Sequence, residues 1–411
     1  MSGFVVALFV LTYLGMALGR IPGLRLDRTG IALMAVAGLL AAGAVDIAFI
    51  GRAVDGSTIL LLFALMILSA QFQQAGFYQF CATAIMRSGA GPAVLLGLVT
   101  AAGGLLSAVL ANDIVVFALT PLLCAGIGGR GGDPRPYLVA LAGASNAGSA
   151  ATLIGNPQNI LIGQTGGLDF WAFSAVCAPP ALAALVVVYV SVRMLWRHEL
   201  ALPVAAARTM KGAAPADRWQ LAKGVAATVA IILLFVTDIP REAGAIAVAA
   251  LLLASRRMAS RDMIGAVDWH LLLLIACLFT VTAAFTQTDT SGSILGWLRQ
   301  AGYSPDTVSV LGPAALIASN SIGNVPAVIL ITGLWPDLSD GALYGLALLS
   351  TLAGNMLIVG SLANIIVAER AATAGYTLGF RDFARAGIPM TLASMLVASL
   401  WLVAGGWLPP A

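Results

Sequence analysis

The chain has 411 residues, of which 60% are hydrophobic and 9% are charged, and its formal net charge at pH 7 is +3. A water-soluble domain carries charge at about 25% of its positions, so the composition excludes one and indicates a polytopic protein of the lipid bilayer. The small positive charge reflects arginines near span ends, and no nucleic-acid partner is expected.

Ten apolar runs are long enough to cross about 30 Å of hydrocarbon. They begin near residues 2, 29, 56, 135 and 169, and again near 219, 241, 268, 340 and 387. Between the third and fourth run of each half lies further apolar sequence, 91–127 and 307–335, which is interrupted in its middle and predicts a re-entrant hairpin. The locally charged stretch 196–218 predicts a cytoplasmic linker.

All but three of the 21 lysines and arginines fall on one side of this arrangement, the exceptions being Arg52, Arg241 and Arg299. By the positive-inside rule that side is cytoplasmic. Both termini are therefore predicted on the outer side of the cytoplasmic (inner) membrane, and the two halves are predicted to have inverted topology. The first run lacks a basic start and is interpreted as a retained span, not a cleaved signal peptide.

Each half contains two blocks with the same order of polar and small residues. SAVLANDIVVFALTP (107–121) and GASNAGSAATLIGNPQN (143–159) correspond to IASNSIGNVPAVILITG (317–333) and LLSTLAGNMLIVGSLAN (348–364). Superposition pairs Asn112 with Asn324, Ser145 with Ser350, Gly155 with Gly360, and Asn159 with Asn364. Paired apolar segments with such interruptions are the best sequence indication of a transporter's binding site.

Asp113 is the one acidic residue well inside an apolar segment assigned to membrane depth. A carboxylate there is costly and usually functional, so we interpret it as a coupling site for H⁺ or Na⁺, with a structural role at the hairpin tip as the alternative. Its counterpart in the second half is Val325, so the coupling chemistry would be asymmetric.

The segment GNPQN (155–159) must break its helix, because Pro157 lacks an N–H and Gly155 permits unusual dihedral angles. GSLAN (360–364) lacks the proline and breaks less forcefully. A half-helix that starts after such a break directs free N–H groups at an anion, while unwound carbonyls suit a cation. Any one of these asparagines, taken alone, would be interpreted as a residue that forms a hydrogen bond between helices. Their repetition at equivalent positions of the two halves favours a binding site instead.

The predicted site comprises polar and small residues of these blocks: Asn112, Asp113, Ser145, Asn146, Gly155, Asn156, Pro157, Asn159, Asn320, Ser321, Asn324, Ser350, Thr351, Asn355, Gly360, Ser361 and Asn364. A sodium ion would lie near Asn112, Asp113 and Gly155. No cofactor is expected beyond a coupling Na⁺ or H⁺. No Walker motif occurs, so ATP drive by this chain is not indicated, which leaves a separate soluble ATPase partner open.

Two of these segments carry a family resemblance. LANDIVVFALTP resembles the first-hairpin signature of arsenite efflux permeases and D-type sodium/proton antiporters, and TLIGNPQNILIG resembles a segment of divalent anion/sodium symporters. The chain is similar, over nearly its whole length, to the ion transporter superfamily, which also contains citrate permeases. Of the symporters' Ser-Asn-Thr hairpin tips, only the asparagine is present in Ala111-Asn112-Asp113 and Gly323-Asn324-Val325.

The resemblance implies an all-α polytopic membrane protein with two inverted-topology repeats, each of about five transmembrane helices and one re-entrant hairpin. It also implies an elevator mechanism on a homodimeric scaffold. The expected domains are repeat 1 (1–195; scaffold 1–90, transport unit 91–165), the linker (196–218) and repeat 2 (219–411; scaffold 219–301, transport unit 307–375).

The leading functional hypothesis is a secondary active transporter that moves a small inorganic or organic anion, coupled to H⁺ or Na⁺. Arsenite/antimonite-type efflux and Na⁺/H⁺ antiport are its variants. An intramembrane enzyme would need a nucleophile–base pair or a carboxylate cluster at membrane depth, which the sequence does not offer. A channel filter would need a ring of equivalent residues around an axis, so neither class is favoured.

Overall fold

The computed structural model describes residues 2–18, 26–201, 216–237 and 239–410. Within these ranges the protein is all-helical, with twenty α-helices and no β-strand. Most of the predicted linker (202–215) lies outside the described residues, as do Arg20, Arg25, Arg208 and Lys211 of the charge argument.

Ten helices come from each half of the described chain. The first half forms α1 (Ser2–Leu18), α2 (Arg28–Ala41), α3 (Ile47–Ala53), α4 (Gly56–Gln74), α5 (Phe77–Arg87), α6 (Pro92–Val109), α7 (Asn112–Gly128), α8 (Arg135–Ser149), α9 (Pro157–Thr165) and α10 (Phe170–Leu195). The second half forms α11 (Arg218–Leu234), α12 (Arg241–Leu253), α13 (Ser260–Gly265), α14 (Trp269–Thr286), α15 (Asp289–Gln300), α16 (Val308–Ile322), α17 (Asn324–Leu334), α18 (Asp340–Ala353), α19 (Leu362–Thr373) and α20 (Phe380–Ala404).

The two sets match helix for helix, so that α1 corresponds to α11 and α10 to α20. Packing repeats as well: α4 packs against α12 while its counterpart α14 packs against α2, and α6 packs on α8 as α16 packs on α18. The protein is therefore the expected polytopic bundle of two inverted repeats, and each half packs its helices against those of the other.

Among the described residues, five helices are long and apolar enough to cross a bilayer, namely α4, α6, α10, α14 and α20. Of these, α6 was predicted as part of a hairpin and the other four as spans. The remaining six predicted runs form helices of 13 to 17 residues, of which α8 and α18 end at the predicted breaks. The run predicted from residue 387 lies inside α20, which begins at Phe380. Arg381, Asp382 and Arg385 make the first turns of α20 too polar to be recognised as part of an apolar run.

Four short helices, α3, α5, α13 and α15, were not predicted. They follow or precede the long spans and are too short to give an apolar run. Two of them are capped by a side chain: Asp46 accepts a hydrogen bond from the Phe49 N–H at the start of α3, and Thr288 accepts one from the Ser291 N–H at the start of α15. Such a cap satisfies one of the free N–H groups of a helix N-terminus.

The hairpins and helix breaks lie at the ends of eight helices. α6 and α7 are joined at Leu110 and Ala111, and α16 and α17 at Gly323, whose φ of +97° and ψ of 159° suit only glycine. Residues 150–156 separate α8 from α9, and 354–361 separate α18 from α19. A Cβ on Gly155 would collide with the carbonyl oxygen of Ser149, so this break needs glycine as well as Pro157.

Candidate functional site

Both helix breaks are held by an asparagine in the first turn of the second half-helix. The Nδ2 of Asn159 donates to the carbonyl oxygens of Ser149 (3.1 Å) and Thr152 (2.9 Å). The Nδ2 of Asn364 donates to those of Gly354 (2.7 Å) and Leu357 (3.0 Å), at the same distances along the chain. The paired asparagines therefore satisfy carbonyls that an unbroken helix would bond internally.

Each hairpin tip is hydrogen-bonded to the glycine carbonyl of the break in its own repeat. The backbone N–H of Asn112 donates to the Gly155 carbonyl oxygen (3.3 Å). In the amide orientation that satisfies both of its polar atoms, Asn324 donates to the carbonyl oxygens of Gly360 (2.9 Å) and Ser350 (3.2 Å). The superposed residues Gly155 and Gly360 thus receive equivalent contacts, one from a backbone and one from a side chain.

Asn146 joins the two repeats. Its Nδ2 donates to the Oδ1 atoms of Asn355 (2.8 Å) and Asn364 (3.1 Å). Its Oδ1 accepts from the Oγ of Ser361 (3.0 Å) and from the Nδ2 of Asn112 (3.4 Å). The side chain is completely buried, and both of its polar atoms are used.

The contact between Asn146 and Ser361 has a counterpart on the other side of the network. In the register that pairs Ser145 with Ser350, Asn146 falls on Thr351 and Asn156 falls on Ser361. The Nδ2 of Asn156 lies 3.4 Å from Thr351 Oγ1, and Gln158 Nε2 donates to the same hydroxyl at 3.1 Å. Each break is therefore bound by the buried helix of the opposite repeat.

Four predicted residues lie outside this network: Asp113 and Pro157, which line the cavity described below, and Asn320 and Ser321. Asn320 donates from Nδ2 to the carbonyl oxygens of Leu316 (3.0 Å) and Ala353 (2.9 Å), so it ties α16 to the end of α18. Ser321 is exposed on α16. Ser145 does belong to the network, because its hydroxyl donates to the Asn112 carbonyl oxygen at 3.3 Å.

Several buried oxygens near the tips and breaks have no hydrogen-bond donor among the described residues, including Oδ1 of Asn112 and Oδ1 of Asn159. A buried polar atom without a partner is uncommon and costs about 1–3 kcal/mol. Hard cations are coordinated by neutral oxygens of this kind. The residues present therefore fit a sodium ion at Asn112, where the sequence predicts one.

A cavity of about 440 Å³ opens where the tips and breaks meet. The first residues of four helices line it: Asn112 and Asp113 of α7, Pro157 of α9, Asn324 of α17, and Ser361 and Leu362 at the start of α19. Asp27, Arg28 and Thr29 at the start of α2, and Asp268 and His270 at the start of α14, also line it. A second cavity of about 320 Å³ shares Asp113, Pro157 and Asp268 and is otherwise mainly apolar.

Sequence reasoning missed Gln158, Arg28, Asp268 and His270 as cavity residues. His270 lies at the start of a predicted span, and Arg28 entered the sequence analysis only as one of the charges used to predict topology. Arg28, Asp268 and His270 lie outside the four matching blocks, so the repeat pattern could not identify them. Gln158 lies inside 143–159, but the residue that superposes on it is the apolar Ala363. One sequence signal marked where α2 and α14 begin: an aspartate that can cap the helix N-terminus, Asp27 for α2 and Asp268 for α14.

A family model described as "Citrate transporter" (CitMHS) matches residues 7–340. The chain belongs to the citrate transporter family. It is 28% identical to a 46 kDa membrane protein of Mycobacterium leprae, over 98% of each chain. It is 25% identical to the silicon efflux transporter LSI3 of Oryza sativa subsp. japonica, over 90% of this chain and 91% of that one. It is 29% identical to the inner membrane protein YbiR of Escherichia coli, over 85% and 88%.

Among solved structures, the YdaH transporter of Alcanivorax borkumensis superposes with a TM-score of 0.54 at 18% identity, covering 98% of each chain. This likeness concerns the fold alone. Together with the family match, it confirms the resemblance to the ion transporter superfamily. The protein is therefore a multi-pass membrane transporter of the citrate transporter family.

Proposed function

We propose that this transporter moves a small inorganic or organic anion across the cytoplasmic membrane, coupled to H⁺ or Na⁺, by an elevator type of alternating access. One observation carries the proposal: both hairpin tips and both helix breaks converge on a single cavity of about 440 Å³. A site at the contact between two inverted repeats is typical of secondary transporters.

The helix ends at the cavity support an anionic substrate. The N-termini of α7, α9, α17 and α19 all line it. Each N-terminus presents backbone N–H groups without intrahelical acceptors and carries the positive end of the helix dipole. Four such ends around one cavity favour a negatively charged group in its middle.

Asp113 and the amide oxygens beside it support coupling to a cation. Asp113 lies in the first turn of α7 and lines both cavities. The unpaired Oδ1 of Asn112 and the Gly155 carbonyl oxygen, which has a second lone pair, complete an oxygen-rich site for Na⁺. With H⁺ as the coupling ion, the Asp113 carboxylate would carry the proton.

The hydrogen bonds across the repeats support movement of 91–165 and 307–375 as one transport unit. Asn146 of α8 bonds to Asn364 of α19, and Thr351 of α18 bonds to Gln158 of α9. The remaining helices would form the scaffold and the surface of a homodimer, with both termini outside.

A second candidate is Na⁺/H⁺ antiport, or efflux of a weakly acidic hydroxide such as arsenite. The observation that favours it is the charge of the cavity walls, where four carboxylates face one arginine: Asp27, Asp113, Asp268 and Glu369 against Arg28. The relative named as a silicon efflux transporter supports the efflux variant. In both variants Asp113 keeps its coupling role.

Flux into proteoliposomes tests these alternatives. The purified protein is reconstituted, and uptake of labelled citrate, phosphate, arsenite or ²²Na⁺ is followed with an imposed pH or Na⁺ gradient. Gradient-driven, saturable flux of citrate or phosphate is the expected result. Flux of ²²Na⁺ against a pH gradient without any anion would favour antiport, and the absence of gradient-driven flux for all four solutes would refute the proposal.

A further inference from the structure

The N-termini of the two second hairpin helices differ in charge. α7 carries Asp113 in its first turn, whereas α17 has no acidic residue in its first turn. The residue of α17 that superposes on Asp113 is the apolar Val325, and no side chain caps this helix. The positive end of α17 therefore lacks the nearby carboxylate that its counterpart has.

An arginine lies beside that end. The Nη1 of Arg28 is 3.2 Å from the position that a Cβ on Gly323, the residue before α17, would occupy. Gly323 has no side chain, so nothing separates the guanidinium from the hairpin tip. The Nε of Arg28 donates to the Met16 carbonyl oxygen at 3.2 Å, which fixes the orientation of the group.

Arg28 is half-buried in the cavity wall and forms no ion pair with any described residue. This holds although four carboxylates line the same cavity. The ion pairs of the described chain involve Arg135 and Arg257 instead. A guanidinium has five N–H donors, so the bond to Met16 leaves most of them available for a carboxylate or phosphate, which arginine binds through two parallel hydrogen bonds.

We propose that Arg28 selects negatively charged substrates by binding their carboxylate or oxyanion group between its guanidinium and the N-terminus of α17. This inference rests on the proposed function and adds a scaffold residue to it. Because α2 belongs to the scaffold and α17 to the transport unit, the bound anion bridges the two. Sliding of the transport unit breaks that bridge, so Arg28 contributes to binding on only one side of the membrane.

The test is anion binding by the full-length protein in detergent, followed as thermal stabilisation during titration with citrate, succinate, phosphate and sulfate. Arg28→Gln is expected to weaken the apparent affinity for the stabilising anion roughly ten- to hundredfold, and Arg28→Lys less, since it keeps the charge but loses the planar fork. The matched control is Arg299→Gln, which removes an exposed arginine of α15. It should titrate like the wild type.

Two outcomes separate this inference from the proposed function. If the wild type responds to an anion and Arg28→Gln responds equally well, the role of Arg28 is refuted and the transporter proposal stands. If no anion stabilises the wild type or is carried by it, both are refuted.

Chemical modification of the unmutated protein covers the case in which Arg28→Gln does not fold. The stabilising anion should slow the modification of Arg28 by phenylglyoxal and leave the rate of modification of Arg299 unchanged. Both rates are measured by peptide mass spectrometry. Equal rates at Arg28 with and without the anion would overturn the inference.

Discussion

Replacing Asn364 with alanine tests whether the paired asparagines hold the helix breaks. The side chain is completely buried, and its Nδ2 bonds to the Gly354 and Leu357 carbonyl oxygens at 2.7 and 3.0 Å. Alanine leaves both carbonyls without this donor. At about 1–3 kcal/mol for each buried group left unpaired, the loss is roughly 2–6 kcal/mol.

Polar contacts between transmembrane helices average only about 0.6 kcal/mol, because freed groups find other partners. The higher value is expected here, since the Gly354 carbonyl belongs to an unwound segment in a buried part of the bundle and has few alternatives. A native stability of about 5–15 kcal/mol would lose a large share. Asn159→Ala should cost a similar amount, because its Nδ2 makes the equivalent two bonds.

Thermal unfolding in detergent, together with the yield of folded protein, measures this effect. Gln300→Ala is the matched control, because it removes an amide from an exposed position at the end of α15. We expect the two asparagine variants to melt well below the wild type and the control. If Asn364→Ala has the same melting temperature as Gln300→Ala, the hydrogen bonds from Asn364 to the helix break do not stabilise the protein.

Three further substitutions follow from the same geometry. Asp113→Asn should abolish or uncouple flux in proteoliposomes without changing the melting temperature, because asparagine keeps the shape of the side chain and removes its charge. Full, pH-dependent flux would contradict the coupling role, and Asp289→Asn on α15 is the control. Gly323→Ala should lower flux and cost about 1–3 kcal/mol in unfolding experiments, because φ is +97° there; unchanged stability would refute the strain. Gly155→Ala should reduce the yield of folded protein sharply, since its Cβ would collide with Ser149, and wild-type yield would show that the break rearranges.

The local features of the sites followed from the sequence because they depend on neighbours in the chain. Gly155 and Pro157 lie in and directly after the segment that separates α8 from α9, where a Cβ on Gly155 would collide with the Ser149 backbone and Pro157 is the first residue of α9. The spacing that pairs Asn159 with Asn364 reappears as two equivalent sets of hydrogen bonds. Asp113 lies at a hairpin tip beside the cavity, where it was expected.

Contacts between distant elements could not be predicted in the same way. The bond from Asn146 to Asn364 joins residues 218 positions apart, and the sequence gives no measure of that proximity. Arg28 and Asp268 reach the cavity because α2 packs on α14, and these two helices lie more than 200 residues apart in the sequence. The roles assigned to the predicted site residues, the coupling ion and the elevator movement remain predictions.

The central position of Asn146 has a consequence for biogenesis. Translation inserts Asn146 into the membrane long before Asn355, Ser361 and Asn364 exist, so its amide enters the bilayer without three of its four partners. The first half cannot finish its own polar interior, and the nascent chain must hold an unsatisfied amide until the final helices arrive. The network at the centre of the transporter is thus among the last parts of the molecule to form.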